Sequence, residues 1–297
     1  MAAPGSTAAP GDRRAPIGVF DSGVGGLTVL RALHERLPAE TLLYLGDTAR
    51  LPYGSKSAGT VLRYAEQAAR VLVQRGVKLL VIACNTASAV ALEHLSAVFW
   101  PLPVIGVVEP GAEAACVASG SGEILVIATE GTVRGGAYER AIRARRADAR
   151  VVQAACPLFV ALAEEGWVRG PIAEAIAHRY LDGVLRERPG VDCIVLGCTH
   201  FPVLQAAISA VVGPRVALVD SAETTARVVA AQLAARGLLH PGSESGLHPG
   251  LHAGPSPGRC RFLATDAPAR FARVGAVFTG EALAPELTPE AVELVDL

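Results

Sequence analysis

The chain writes one phrase twice: Gly76-Val77-Lys78-Leu79-Leu80-Val81-Ile82-Ala83-Cys84-Asn85-Thr86, and again Gly190-Val191-Asp192-Cys193-Ile194-Val195-Leu196-Gly197-Cys198-Thr199-His200. The two stretches align without a gap and carry a cysteine at the same place. Each reads as a buried strand, a small residue, a cysteine, and then hydrogen-bonding residues where a helix should begin. Two halves with a thiol at the same turn can face each other across a cleft.

Working outward, strands alternate with helical stretches on both sides of each phrase. Ile17–Phe20 reads as the first strand, a Gly-rich turn follows, and a helix is expected from Leu27 to Arg36. Leu42–Leu45 is a second short strand, and a helix near 57–75 leads into the strand before Cys84. Val104–Val108 reads as another strand. The pattern then restarts at Ile124–Ile127, with a helix near 135–147, a strand at Val151-Val152, and helices near 158–165 and 171–187 before the strand of Cys198. Val216–Val219, a helix near 221–237 and a late strand at Arg261–Thr265 close the series. Such alternation predicts an α/β protein with parallel sheets covered by helices on both faces. Ligands in these sheets bind outside the carboxyl ends of the strands, where every polar motif below falls.

Composition excludes several classes. At 297 residues the chain has room for two ordinary domains. Its hydrophobic fraction of 51% is mostly Ala, Val and Leu. A formal net charge of -1 gives no electrostatic case for nucleic acid, and the run Arg140–Arg146 reads as a solvated helix face. No apolar stretch is long enough for a membrane span, and residues 1–15 read as a disordered tail without a signal peptide's apolar segment. Six cysteines without a C-x-x-C pair fit free thiols in a reducing cytoplasm. Residues 238–259, rich in Gly, Pro, His and Ser, read as a loop.

Cys84 and Cys198 are the candidate reactive groups. A thiolate is the reactive form, and unpaired N–H groups at a helix N-terminus would favour it at both turns. Opposed thiols suit a reaction in which a proton leaves one face of a carbon and another returns to the other. Asn85-Thr86 and Thr199-His200 read either as helix caps or as anion-binding groups. His200 can serve its neighbouring thiol as acid or base. Asp21-Ser22-Gly23-Val24-Gly25-Gly26 is neither G-x-G-x-x-G nor a P-loop, and its Asp would repel phosphate and suit an ammonium group. Asp47–Gly54 and Thr129–Thr132 are modest turns on their own. Glu164 either supports His200 or lies on a helix surface. No cofactor or metal is expected. The only lysines are Lys56, in a loop, and Lys78, at a strand start away from the cleft, which leaves a Schiff-base cofactor poorly served. His248 and His252 sit in the Gly/Pro-rich loop rather than in a ligand cluster.

Taken together these segments resemble the cofactor-independent glutamate racemases of the aspartate/glutamate racemase superfamily. The likeness is carried by Phe20–Gly26, Leu51-Pro52-Tyr53-Gly54, Ala83–Ala87, Gly106–Gly111, Cys156–Phe159 and Leu196–Pro202, and runs from about residue 16 to 280. It implies two doubly wound domains related by a pseudo-twofold axis, with the substrate enclosed between them. The first would comprise residues 16–105 and 216–285, the second 106–215. It implies that Cys84 takes the α-proton from D-glutamate and Cys198 from L-glutamate, with Asp21, Glu164 and His200 as supporting acid–base residues. Asp21, Ser22, Tyr53, Gly54, Asn85, Thr86, Thr129, Thr132, Thr199 and His200 map onto substrate-contacting positions. The resemblance further implies a cytoplasmic homodimer that supplies D-glutamate for peptidoglycan. Ala128, Gly131 and Gly135 depart from the family's usual small residues and leave Thr129 and Thr132 in place. Three other readings compete: an aspartate racemase, a cysteine hydrolase built on Cys198 and His200, and a ligand-binding regulator on the same scaffold.

Overall fold

A computed structural model describes residues 11–243 and 258–297. In chain order its elements are β1 (Ile17–Asp21), α1 (Leu27–Arg36), β2 (Leu42–Gly46), α2 (Ala58–Gln74), β3 (Leu79–Ile82), α3 (Asn85–Val98) and β4 (Val104–Gly106). Then come α4 (Val108–Ala118), β5 (Glu123–Ala128), α5 (Glu130–Gly135), α6 (Ala137–Arg145), β6 (Arg150–Ala155), α7 (Leu158–Glu164), α8 (Pro171–Glu187), β7 (Cys193–Gly197), α9 (Gln205–Val212) and β8 (Ala217–Asp220). The chain ends with α10 (Ser221–Ala235), β9 (Cys260–Ala264), α11 (Pro268–Leu283) and β10 (Val292–Leu294).

The strands form two sheets, ordered β10-β9-β2-β1-β3-β4 and β6-β5-β7-β8, and every pairing is parallel. The repeated phrase is explained by this topology. In each half the first strand lies between the second and the third, and the fourth follows the third. β3 and β7 are therefore equivalent third strands, and each leads into one of the two cysteine turns. Strand order reverses at β1 and at β5, so the crevice expected of an open α/β sheet opens between β1 and β3 in one half and β5 and β7 in the other. Asp21, Cys84, Thr129 and Cys198 stand at those four strand ends.

Both sheets are covered on both faces, which is why their strands read as unbroken apolar runs. On the first sheet, α1, α10 and α11 bury Leu27, Leu30, Val229 and Phe271 on one side, while α2 and α3 bury Ala65, Leu72 and Leu95 on the other. On the second, α7, α8 and α9 cover one face with Phe159, Leu181 and Ile208, and α4 and α6 cover the other with Ala112, Tyr138 and Ile142. A buried ion pair, Lys78 Nζ to Glu40 Oε2 at 2.5 Å, lies at the start of β3, the opposite end of that strand from the Cys84 turn. Lys78 also donates to Arg13 O, and Glu40 accepts from the His240 N–H, so this pair fastens the segments around residues 13 and 240.

Several boundaries differ from the sequence reading. β8 pairs with β7, so residues 216–220, assigned to the first domain, complete the second sheet, and the chain returns only with α10. An apolar run such as Val216–Val219 carries no mark of which sheet it will join. The first sheet gains β10, which lies past residue 285. Val107 and Val108 leave the expected strand at 104–108, since α4 begins at Val108 with Pro110 in its first turn. The helix expected at 135–147 is α6, which begins at Ala137 after Gly136 at φ 60°, and the turn expected at Thr129–Thr132 opens a further short helix, α5. Within the expected tail, residues 11–15 are described: Ala15 is buried and Arg13 Nε donates to Leu239 O, while Gly11, Asp12 and Arg14 are exposed. Residues 1–10, most of the 238–259 loop, and His248 and His252 lie outside the described residues.

Candidate active site

Cys84 caps α3. Its backbone is extended (φ -62°, ψ 117°), and its sulfur accepts from the Ala87 N–H at 3.5 Å while its S–H donates to Ser22 Oγ at 3.4 Å. The helix amides do not make it acidic. Burial, reinforced by the charge of Asp21, pushes the Cys84 thiol up to about 12, against the smaller opposing pull of Ser22 and Ala87. Cys198 is close enough to add to that rise. The field expected of a helix terminus is thus outweighed by the loss of water.

Cys198 has no helix terminus. After it the chain makes a turn and a 3-10 segment at Phe201–Leu204, and α9 starts only at Gln205. The electrostatic partner is a side chain instead: His200 Nδ1 lies 3.8 Å from the Cys198 sulfur. His200 Nε2 meets Glu164 Oε1 at 3.2 Å, and Glu164 Oε2 accepts from Arg270 at 2.8 Å. Burial alone would strip the imidazole of its proton, but Cys198, Glu164 and Asp21 together carry its pKa to about 10. Hydrogen bonding to His200 leads the effects that hold Glu164 below the ordinary carboxylate range, and Arg270 adds to it. One thiol is therefore buried between neutral partners, and the other is paired with a histidine that tends to be cationic.

Each cysteine turn is met by a segment of the other domain. Gly25, in the loop after β1, lies against Thr199 and His200, where a Cβ would come within 2.4 Å of Thr199 Oγ1 and 2.5 Å of His200 Nδ1. Thr28 Oγ1, at the start of α1, donates to Gly25 O and reaches Thr199 O at 3.4 Å. Thr86 on α3 forms a triangle with Thr129 and Thr132 of α5, with Oγ1 separations of 2.9, 3.1 and 3.1 Å. Gly54 rests on Thr129, and a Cβ on Gly131 would meet Gly54 O at 2.8 Å, so a glycine at 131 lets the two loops approach closely.

Two buried polar atoms at this junction make no hydrogen bond: Asp21 Oδ1 and Asn85 Nδ2. Asp21 Oδ2 accepts from the Gly23 N–H at 2.9 Å, and burial raises the Asp21 pKa against the pull of His200 and the loop amides. Asn85 Oδ1 accepts from Tyr138 Oη at 2.6 Å, which turns the amide NH2 the other way. One dry acceptor and one dry donor beside two thiols complement the ammonium and carboxylate of an amino acid.

Of the residues singled out in the sequence, Asp21, Ser22, Gly54, Asn85, Thr86, Thr129, Thr132, Thr199, His200, Glu164 and both cysteines converge here. Tyr53 packs in the same core cluster as Cys84, with its hydroxyl committed to Asp47 Oδ2 at 2.5 Å. Asp47 is buried and also accepts from Arg50 and Thr265, so this stretch is an internal brace rather than a surface turn. Tyr138, Arg270 and Phe278, whose ring meets His200 edge-on at 5.2 Å, had no sequence signal. They lie on helices with ordinary amphipathic spacing. Among the described residues, no group of three or more His, Cys, Asp or Glu is arranged to hold a metal ion.

With that geometry in hand, comparison with known proteins is direct. Residues 17–229 match the Asp/Glu/hydantoin racemase family, to which the chain belongs; it is an enzyme of the racemase class. Its place within the family is with the glutamate racemases. It is 51% identical to the glutamate racemase of Geobacter metallireducens over 89% of this chain and 92% of that one. The crystal structure of the Francisella tularensis enzyme with D-glutamate superposes with a TM-score of 0.82 at 33% identity, covering 96% of this chain and 98% of that one. The Thermus thermophilus enzyme with β-chloro-D-alanine gives 0.80 at 44%, with the same coverage.

Proposed function

We propose that the protein interconverts L-glutamate and D-glutamate by two-base proton transfer at the α-carbon, with Cys84 and Cys198 on opposite faces. The observation that carries this reading is the pair of unpartnered buried atoms, Asp21 Oδ1, whose carboxylate acts on both Cys84 and His200, and Asn85 Nδ2, in the Cys84 turn itself. Asp21 receives the substrate ammonium, and Asn85, Thr86 and Thr199 surround the α-carboxylate, where charge grows as the proton leaves. In one direction the Cys198 thiolate forms an S–H bond as the Cα–H bond breaks. The electron pair is held by the carboxylate, and the Cys84 S–H gives its proton to the other face. His200 stabilises the Cys198 thiolate before that step, and Glu164 fixes the ring. The high pKa of Cys84, about 12, suits the donor role in this direction. By family likeness Cys198 acts on L-glutamate and Cys84 on D-glutamate. After each turnover the sulfurs have exchanged protonation states, which readies the site for the reverse reaction.

Both cysteines are buried, at 4% and 6% exposure, so substrate reaches them only when the domains part. Closure then excludes water and aligns sulfur, carbon and sulfur. The test is circular dichroism of each glutamate enantiomer incubated with the protein in deuterium oxide, alongside both enantiomers of aspartate. The reading requires loss of optical activity with solvent deuterium entering at Cα, and glutamate well ahead of aspartate. Tight glutamate binding without hydrogen exchange would instead establish a regulator. A cytoplasmic homodimer supplying peptidoglycan synthesis completes the proposal, and sedimentation velocity tests the dimer.

A further inference from the structure

The side chains that reach Cys198 come from both domains. His200 and Glu164 belong to the second, whereas Arg270 and Phe278 lie on α11, packed against the first sheet. Among the described residues, Arg270–Glu164 is the one ion pair that crosses between the domains. It sits at the far end of a continuous chain of contacts: guanidinium to Glu164 at 2.8 Å, Glu164 to imidazole at 3.2 Å, imidazole to sulfur at 3.8 Å. Cys84 has no counterpart, since its partners Ser22, Ala87 and Asp21 all come from its own domain.

We propose that Arg270 is a positioning residue that couples domain closure to the Cys198 thiol, holding Glu164 and through it His200 only while the domains are shut. This rests on the reading of Cys198 as one of two reacting thiols. The argument is geometric. A carboxylate at the end of the short helix α7 has two oxygens, one on His200 and one on Arg270. With both engaged its orientation is fixed, and the ring it holds keeps Nδ1 toward the sulfur. When the domains separate to admit substrate, the guanidinium leaves with α11, the carboxylate is free to turn, and His200 loses a fixed partner. The histidine is then set for proton handling in the closed state and released from it in the open one. Charged and titratable groups facing His200 are Cys198, Glu164 and Asp21; those facing Glu164 are His200 and Arg270. Phe278 covers the ring edge without charge.

A purely structural role predicts something different. Arg270 is about half exposed (47%), and such pairs add little to stability. Its effect should therefore appear in rate rather than in folding. Arg270→Gln, Arg270→Lys, Glu164→Gln, the double variant R270Q/E164Q and Cys198→Ala are prepared in the full chain. Racemisation is followed from both glutamate enantiomers from about pH 4 to about pH 10, a range that spans the ordinary carboxylate pKa, with thermal unfolding in parallel. R270Q should lower kcat about tenfold, the scale of coupling between residues in one network, with KM nearly unchanged. Because Arg270 helps keep Glu164 ionised, its loss should also move the acid limb of kcat/KM to higher pH. R270K should recover most of the rate, and R270Q/E164Q should be no slower than E164Q. Wild-type kcat and an unmoved acid limb in R270Q overturn the proposal, as does a double variant whose loss is the product of the two single losses. If C198A is inactive while R270Q matches wild type, the Arg270 proposal alone falls. If C198A racemises normally, the two-thiol reading falls and takes this one with it.

Discussion

Tyr138→Phe removes one oxygen atom and leaves every apolar contact of a fully buried ring in place, so its consequences can be followed atom by atom. The hydroxyl donates to Asn85 Oδ1 at 2.6 Å, and it is the contact that decides which way the Asn85 amide faces. Without it a buried acceptor is left dry at a cost of about 1–3 kcal/mol, because no water replaces the lost donor. The amide can recover that cost by turning over, which would bring its oxygen toward the space where the substrate carboxylate is expected. A donor would then be exchanged for a repulsive acceptor. Either route takes stabilisation from the transition state, and 1–3 kcal/mol corresponds to roughly a 5- to 150-fold loss in kcat/KM. The assay is polarimetric racemisation from both enantiomers, with far-UV circular dichroism as a folding control. Asn85→Ala and the double variant N85A/Y138F complete a cycle. Tyr138 acts through Asn85, so the double variant should lose no more activity than N85A. Wild-type kcat/KM in Y138F, or a double variant slower than N85A by the full Y138F factor, would show that Tyr138 does not orient the amide.

Gly25→Ala places a methyl about 1 Å too close to Thr199 and His200, and displacement of the Cys198 turn on that scale should cut kcat about 100-fold without altering the circular dichroism spectrum; unimpaired turnover would mean the turn yields freely. Lys78→Met leaves Glu40 buried without its cation and should cost about 3–5 kcal/mol in urea unfolding, while the folded fraction keeps wild-type turnover. His200 is raised from 6.5 to about 10, so its contribution to stability is complete below about 6.5 and is lost as pH rises through about 10. The stability gap between wild type and His200→Asn should therefore shrink across that window, and a gap independent of pH would contradict the assigned ionisation.

The repeated cysteine phrase made the two-sheet α/β architecture readable, because strands buried on both faces must be apolar throughout and their polar turns cluster at one end. Which sheet a strand joins was not readable, as β8 shows: Val216–Val219 would satisfy either. The site was legible where chemistry is local. Asp21, Cys84, Asn85, Cys198 and His200 all sit within a few residues of a strand end. It was illegible where chemistry depends on tertiary approach. Arg270 reaches Glu164 across 106 residues of chain, and Tyr138 reaches Asn85 across 53. Local rules also gave the wrong electrostatics for both thiols. A helix terminus beside Cys84 is outweighed by burial, and Cys198 has a histidine in place of a helix.

The plainest trial of a two-sided proton transfer is to remove one sulfur at a time. C84A and C198A, each shown to be folded, are given pure L-glutamate and pure D-glutamate, and optical rotation is recorded to equilibrium. Neither variant should racemise either enantiomer, since a single remaining thiol can reach only one face of the carbon. Wild-type racemisation by either variant would contradict the account.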